Sequence, residues 1–562
     1  MAKQNGNGVQ IERSRNQVKS MESWIWDAAC SIRGAADAAK FKDYILPLIF
    51  VKRLCDVFDD EIDRIAENLS KKSGAVSLSN RRTRDERSRS KALQLVERDK
   101  SLVRFYLPIR PKDPENQTTW DVIRTLSDKI GQQLTDILRA IAKENTSLQG
   151  IIDRIDFNAT THGVRDIDDD RLSKLIEKIS EKRLGLNDVE PDIIGRSYEY
   201  LIRKFAEGSG QSAGEFYTPA EVGIIMAKIM DAEPGMEIYD PCCGSGGLLI
   251  KCELVMEEKM RALGHSKGDT TKYAPLKLYG QEFTPATWAM SKMNMVIHDM
   301  EGEIEIGDTL KNPKFRNKSK LKTFDRVVAN PMWNQGRDSL PYINDDFFIN
   351  DEFGRFPAGS CGGKIDWGWM QHIYSSLNDP STSSGQGASR AAVVLDTGAA
   401  SRGSGNQGNN KEKEVRKWFV DNDLIEGVIY LPENLFYNTT APGIIIFLNK
   451  AKPQAIKNKI YLLHAGKEFE KGDPKNFIPQ ASIDKIADYY KAFKEEEKFA
   501  RLVSKDEVVK NDYNISSSRY IQITDAETYR PIGEIVEELK ALEEEAAAID
   551  AELKTIFEKL GL

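Results

Sequence analysis

The sequence predicts a multidomain protein with an all-helical N-terminal domain, a central α/β domain on a largely parallel sheet, and a helical, coiled-coil-like tail. Three observations predict it. Apolar residues recur at three- and four-residue spacing through most of the first 185 positions. Between Pro234 and Lys450, short β-branched runs alternate with helical patterns, as successive βαβ units do. From Ile535 onward, the apolar spacing alternates between four and three. The length agrees, because 562 residues at roughly 150 per domain supply about three to four separate cores. The expected division is a loose tail over 1–18, a helical domain over 19–185, an α/β domain over 186–465 and a helical region for subunit assembly over 466–562.

In the first domain, Trp24, Ile25, Ala28 and Ile32, then Tyr44, Ile45, Leu48, Ile49, Leu54, Val57, Phe58, Ile62 and Ile65, mark amphipathic helices up to about Leu69. The basic stretch from Asn80 to Lys91 interrupts them, and Arg81 to Arg89 within it reads as a DNA-facing arm or a solvated loop. Periodicity returns over 122–141 and 172–179. The central strands are expected at 237–239, 278–281, 324–329, 391–395, 424–431 and 443–448. Two Gly/Ser-rich stretches, 380–389 and 397–410, read as flexible loops inside that domain. In the tail, Ile535, Leu539, Leu542, Ala546, Ile549, Leu553, Ile556 and Leu560 form a coiled-coil seam, with a helix docked on its own domain as the alternative.

Composition narrows the function classes. Hydrophobic residues make up 40% and charged residues 30%, the profile of a globular rather than a fibrous or disordered chain. No stretch reaches the roughly 18 unbroken apolar residues of a membrane helix, and the first residues lack an apolar signal segment, so a cytoplasmic location without membrane contact is expected. Six cysteines, Cys30, Cys55, Cys242, Cys243, Cys252 and Cys361, are too irregularly spaced for a disulfide framework or paired CxxC zinc ligands. The five histidines are scattered, and no metal is expected. Asp166, Asp168, Asp170 and Glu177 imitate a calcium loop, but Arg171 occupies its glycine position, which favours helix capping. With 80 basic against 87 acidic residues the net charge is -7, so any nucleic-acid contact has to come from local patches or from a partner.

The strongest local feature is Asp240-Pro241-Cys242-Cys243-Gly244-Ser245-Gly246-Gly247, where a strand ends in an acid and a glycine-rich turn opens a helix. Glycines let the backbone approach a ligand, and Asp240 can accept hydrogen bonds from a cationic amine. The turn lacks both GxGxxG and a following Lys-Ser/Thr, which disfavours a phosphate cradle. Glu282, at the end of the next strand, lies where a ribose diol would, and Asp308 offers an acceptor for an exocyclic adenine amine. Two acids, a glycine turn and no phosphate binder describe S-adenosylmethionine. Further on, a strand runs into Asn330-Pro331-Met332-Trp333. The N6 lone pair of adenine is delocalised into its ring, so methylating it needs acceptors that hold the amino hydrogens; the Asn330 carboxamide and the Pro331 carbonyl supply them, and Trp333 stacks on the extruded base. Cys242 lies inside the cofactor turn, which argues against a cytosine-C5 nucleophile. A basic run, Lys311, Lys314, Arg316, Lys318, Lys320, Lys322 and Arg326, precedes the turn and suits phosphate contact.

With Gly214-Glu215-Phe216-Tyr217-Thr218-Pro219, Gln281-Glu282, Gly307-Asp308-Thr309-Leu310, Asp366-Trp367, Gln371-His372-Ile373 and Leu431-Pro432-x-Asn434-Leu435-Phe436-Tyr437 in order around these motifs, the chain resembles the modification subunit of a type I restriction-modification system, from roughly Met21 to Lys450. The resemblance implies an N6-adenine DNA methyltransferase with a Rossmann-like class I S-adenosylmethionine-dependent domain. Glu215, Phe216, Tyr217, Thr218 and Pro219, with Gly244, Ser245, Gly246 and Gly247, then hold the cofactor. The implied partners are DNA, a separate specificity subunit bound by two methylating chains, and a restriction/translocase subunit in the complete system. Two residues depart from the family pattern: Met332 replaces the usual second proline, and Trp333 the commoner Phe or Tyr. Little room remains after Lys450 for a domain that reads bases in the major groove, which agrees with delegated recognition. Competing readings are a methyltransferase acting on protein glutamine or RNA, and a non-catalytic assembly scaffold.

Overall fold

The computed structural model describes residues 21–31, 38–72, 81–186, 188–189, 191–208, 218–265, 273–318, 320–336, 338–380, 388–405, 410–437, 439–522, 536–547 and 549. The expected tail over 1–18 lies outside the described residues.

Helices over 21–30 (α1), Ala38–Lys72 (α2), Arg81–Arg98 (α3), Thr119–Arg124 (α4), Ile130–Glu144 (α5) and Asp169–Ser180 (α6) form the first domain, with one short hairpin, Thr160–Thr161 (β1) against Val164–Arg165 (β2). Their periodicity is the cause: Leu134, Leu138 and Ile141 of α5 and Leu172, Leu175, Ile176 and Ile179 of α6 all turn into one core. Asp168 caps α6 by accepting from the Arg171 amide at 2.8 Å, which accounts for the acidic run there. Among the described residues, no cluster of His, Cys, Asp and Glu could hold a metal. The basic stretch expected to break the helices lies instead in α3. Arg89 pairs with the nearly buried Asp59 of α2, so it belongs to helix packing and not to a DNA-facing arm.

A helix over Pro191–Gly208 (α7) leads into the α/β domain. Its Ile194, Tyr198, Leu201 and Ile202 are buried in the helical domain's core, alongside Met290, Met293 and Ile297 of a helix over Pro285–Ile297 (α10). These two helices weld the domains together. Other α/β helices are Ala220–Met230 (α8), Gly247–Ala262 (α9), Asp345–Ile349 (α11), Asp366–Ser375 (α12), Lys411–Asp421 (α13) and Gln480–Ala492 (α14).

The strands are Glu237–Asp240 (β3), Lys277–Glu282 (β4), Gly302–Ile306 (β5), a side hairpin of Arg316–Asn317 (β6) and Lys320–Leu321 (β7), then Arg326–Ala329 (β8), Arg390–Asp396 (β9), Ile425–Tyr430 (β10), Gly443–Asn449 (β11), Lys459–His464 (β12) and Ala500–Ser504 (β13). The nine-stranded sheet has the order β13-β12-β10-β11-β9-β8-β3-β4-β5, with β11 and β13 antiparallel to the rest. Side chains alternate across it. Val394 of β9 and Ile445 and Phe447 of β11 join the core under α8, α9 and α14, whereas Val393, Leu395, Ile444 and Ile446 join the core on the α12 and α13 face. The sheet does not stop at 465, because β13 pairs with β12 and α14 packs on α8.

Part of the expected flexible loop over 397–410 is pinned: Arg402 pairs with Asp366, Asp396 and Glu412, and Arg416 donates to the Ala399, Arg402 and Tyr513 carbonyls. Residues 536–547 are helical, with Val536, Leu539 and Leu542 exposed. Ile535, Leu553, Ile556 and Leu560 of the expected seam lie outside the described residues. Among the described residues, no helix is long and apolar enough to cross a membrane.

Gly280 of β4 sits opposite Asp240, where a Cβ would come within 2.7 Å of Ile304 Cδ1 and 2.9 Å of Cys243 Sγ. Gly280→Ala is therefore expected to destabilise the α/β domain by about 1–3 kcal/mol, the usual effect of overpacking. Thermal unfolding reads this as a lowered midpoint; a midpoint equal to wild type would show that β4 can yield.

Candidate active site

Chain order along the sheet reverses between β3 and β8, and ligands of open α/β sheets bind outside the carboxyl ends of strands at such a point. Asp240 ends β3, and Asn330 follows β8, which is parallel to β3. Both line one cleft at the carboxyl ends of these strands.

The glycine turn forms the cleft's floor. Gly244 and Gly246 have φ of 54° and 79°, a left-handed backbone that side chains rarely adopt. The turn is tied on every side. The Cys243 amide donates to the Gln281 carbonyl at 3.0 Å, Thr309 Oγ1 donates to the Pro241 carbonyl at 2.6 Å, and Asn294 Nδ2 donates to the Ser245 carbonyl at 3.0 Å. Helix α9 starts at Gly247, so its amides point into the cleft and favour an anionic group there.

Glu282 serves the turn directly: one carboxylate oxygen accepts from the Gly244 amide at 3.1 Å, the other from the Thr284 amide at 2.8 Å. Burial raises its carboxyl above the usual range. Asp240 is 1% exposed, and burial, reinforced by Glu282, pushes its carboxyl up to about 7 against the pull of the Cys242 amide. Neither neighbour is a cation. The arrangement suits a ligand whose ammonium would sit beside Asp240 and whose carboxylate would meet the α9 amides, so these residues fit S-adenosylmethionine.

Thr218, Pro219, Asp240, Gly244, Ser245, Gly247 and Asn330 thus converge on one cleft. Gly246 turns against Met295. Asp308 stands outside the cleft lining. Its Oδ1 accepts from the Leu310 and Lys311 amides, and its Oδ2 accepts from the Tyr342 hydroxyl at 2.6 Å. Glu215, Phe216 and Tyr217 lie outside the described residues. Two lining residues went unnoticed in the sequence. Glu199 of α7 and Lys251 of α9 form a buried ion pair at 2.6 Å. Burial works to raise the Glu199 carboxyl, but Lys251 and His298 overcome it and hold it below its ordinary range. The one available signal was a lysine inside the apolar run that opens α9.

At the turn after β8, Pro331 is buried and Met332 is 42% exposed. Asn330 Nδ2 donates to Thr218 Oγ1 at 3.0 Å, and the Trp333 indole N–H donates to Asn330 Oδ1 at 3.2 Å. The Trp333 ring meets Phe436 edge on, with centroids 4.7 Å apart. Asn334 follows with φ of 58°; its amide donates to Asp366, and its carboxamide oxygen accepts from Lys364 at 2.6 Å and Arg402 at 3.0 Å. The basic run divides. Lys311, Lys314, Arg316, Lys318 and Lys320 are exposed, but Lys322 pairs with Glu237 at 3.1 Å, and Arg326 is buried on the Met230 and Ala388 carbonyls, out of reach of a phosphate.

Comparison with known proteins agrees with this geometry. The model of the N-6 DNA Methylase family matches residues 189–528, and that of the HsdM N-terminal domain matches 21–179. The type I restriction enzyme MjaVII methylase subunit of Methanocaldococcus jannaschii is 31% identical over 78% of this chain and 71% of its own length. The MjaIX methylase subunit of the same organism is 29% identical over 96% and 91%. The methyltransferase subunit of a type I restriction-modification system from Streptococcus thermophilus shares the fold, with a TM-score of 0.69 and 24% identity over 90% of this chain and 100% of that one. With one family model spanning more than half of its length and a second covering its helical domain, the chain belongs to the N-6 DNA methylase family, among the methylase subunits of type I restriction enzymes.

Proposed function

We propose that this chain methylates the N6 amino group of adenine within a specific DNA sequence as the modification subunit of a type I complex, with Asn330, Pro331 and Trp333 handling the base. S-adenosylmethionine supplies the electrophilic methyl group. The observation that carries the assignment is the shared cleft, in which Asn330 stands beside Asp240 and the glycine turn at the ends of adjacent parallel strands.

In this reading Thr218, Pro219, Asp240, Gly244, Ser245, Gly246 and Gly247 hold the cofactor, together with Glu215, Phe216 and Tyr217. Asp240 takes its ammonium and the α9 amides its carboxylate. Glu282 shapes the turn and faces the ribose. Asp308, with both oxygens engaged, keeps its adenine-side role only by sharing Oδ2 with Tyr342. The Asn330 Oδ1 and the Pro331 carbonyl accept the two amino hydrogens of the target base, which localises the nitrogen lone pair for an in-line attack. Orientation then supplies most of the rate. Trp333 and Met332 wall the base pocket. The exposed lysines and arginine over 311–320 meet backbone phosphate. Sequence reading falls to a specificity subunit gripped by the exposed apolar face of the C-terminal helix, with two methylating chains per specificity chain and a restriction/translocase subunit joining for cleavage.

Asn330→Ala is expected to lower methyl transfer by about 100- to 1,000-fold, the effect of removing one preorganised hydrogen-bonding group, with cofactor affinity within a few-fold of wild type. Tritiated methyl entering DNA rather than protein is the readout; undiminished labelling by the variant would refute the assignment. Binding of the cofactor should also be linked to a proton. Asp240 titrates near 7 in the free protein and is held ionised by an ammonium beside it, so binding below pH 7 releases a proton and weakens as pH falls, by up to about tenfold per unit. Calorimetry in buffers of different ionisation enthalpy measures this, and Asp240→Asn should abolish the release. Finally, a chain ending before Ile535 should keep cofactor binding but lose co-purification with the specificity subunit; recovery at full-length stoichiometry would count against that grip.

A further inference from the structure

A carboxamide has two ends that differ in chemistry and hardly in shape, and only its oxygen can accept an amine hydrogen. The two contacts on Asn330 are not equivalent in this respect. Thr218 Oγ1 accepts from Nδ2 at 3.0 Å, but a hydroxyl donates as readily as it accepts, so Thr218 tolerates either end of the amide. The Trp333 indole N–H, 3.2 Å from Oδ1, can only donate, so it tolerates oxygen alone. The tryptophan contact is the one that sets the amide's sense.

The indole is itself seated. Its ring lies against Phe436 at 4.7 Å and an interplanar angle of 68°. Gly443 leaves room for both rings, since a Cβ there would come within 3.0 Å of Trp333 Cη2 and 2.8 Å of Phe436 Cε2.

We propose that Trp333 is a positioning residue whose indole N–H locks the Asn330 carboxamide, so that Oδ1 and not Nδ2 is the end shared with the target amine. The oxygen has two lone pairs: the indole takes one and leaves the other for the base. Without the indole donor, the amide can reverse, with the Thr218 hydroxyl donating to Oδ1 and Nδ2 turned to the base, where a donor faces a donor. A phenylalanine or tyrosine ring at 333 would supply stacking but no such N–H. This inference rests on the reading of Asn330 as the acceptor.

The test replaces the N–H and keeps the ring. Trp333→β-(3-benzothienyl)alanine, in which sulfur stands for the indole nitrogen, is compared with Trp333→Phe in the assembled DNA-methylating complex. Single-turnover methylation is followed together with base extrusion, reported by 2-aminopurine at the target position. The expected result is a five- to tenfold slower transfer in both variants with extrusion and cofactor affinity unchanged. A rate within threefold of wild type in the benzothienyl variant overturns the proposal, as does a rate that falls only in step with extrusion, because Trp333 would then act on the base and not on Asn330. Asn330→Ala separates the two levels. If it remains active, the acceptor reading fails; if it is inactive beside an unimpaired benzothienyl variant, only the lock fails.

Discussion

The parallel pairing of β3 with β8 is the constraint on which the site depends. Ile238 and Tyr239 lie in register with Arg326 and Val327, so β8 ends only one residue beyond β3, and the acid that ends one strand and the asparagine that follows the other line the same cleft. Tyr239 stacks on Phe324 at 4.5 Å, and Arg326 anchors the start of β8 to the end of α8, which leaves the pair little freedom to slide. A slip of one residue would reverse the facing of every side chain and bury Asn330 in a core. The glycine turn then has only to hold its shape, and strands, loops and α10 each contribute a hydrogen bond to it.

Charge is buried around this arrangement in a consistent way. Several of the carboxylates taken from water are met by a cation, as their desolvation requires. Glu199 is met by Lys251, Arg390 by Glu426, and Arg355 by Asp351 and the Thr309 and Leu310 carbonyls. Asp240 departs from this pattern, with one amide and a second acid as its neighbours, and it faces the cleft. A buried carboxyl raised toward neutrality marks where a cationic ligand group stabilises the fold most. The Glu199–Lys251 pair has a further consequence, because α7 belongs to the helical domain's core while α9 grows from the glycine turn. The two domains meet at the cleft wall itself.

Six of the nine strands of the sheet and the glycine turn were legible because their signals are local, β-branched runs of period two and glycine at left-handed backbone; β5, β12 and β13 were not expected. Asn330-Pro331 stands out in the sequence because a carboxamide beside a proline-fixed carbonyl offers two acceptors in one turn. What the sequence hid depends on chain closure over long separations. Lys251 looks like a surface lysine until α7 covers it, and Arg326 and Lys322 read as phosphate contacts until β8 is placed against α8 and Glu237. The stretch around Arg89 looked like a helix breaker because propensity is a weak prior, and an ion pair to Asp59 overrides it. Asp308 reads in the sequence as a free acceptor for the adenine amine, but the Tyr342 hydroxyl that occupies it comes from 34 residues further along.

The acceptor role proposed for the turn after β8 would require it to be rigid, since an acceptor displaced by about 1 Å can cost about 100-fold in rate. Its anchorage follows from that need. Asn330 is held from outside the turn by Thr218, just before α8, and from within it by Trp333. Asn334, four residues on, is held from outside by Asp366, Lys364 and Arg402, and the Ile365 amide donates to the Gln335 carbonyl at 3.0 Å. Arg402 in turn is fixed by Asp366, Asp396 and Glu412, which come from α12, the end of β9 and α13. Between the two anchors, Met332 is left exposed. A turn clamped at both ends and open in the middle holds Asn330 in place whatever side chain stands at 332, so methionine can occupy that position without disturbing the asparagine.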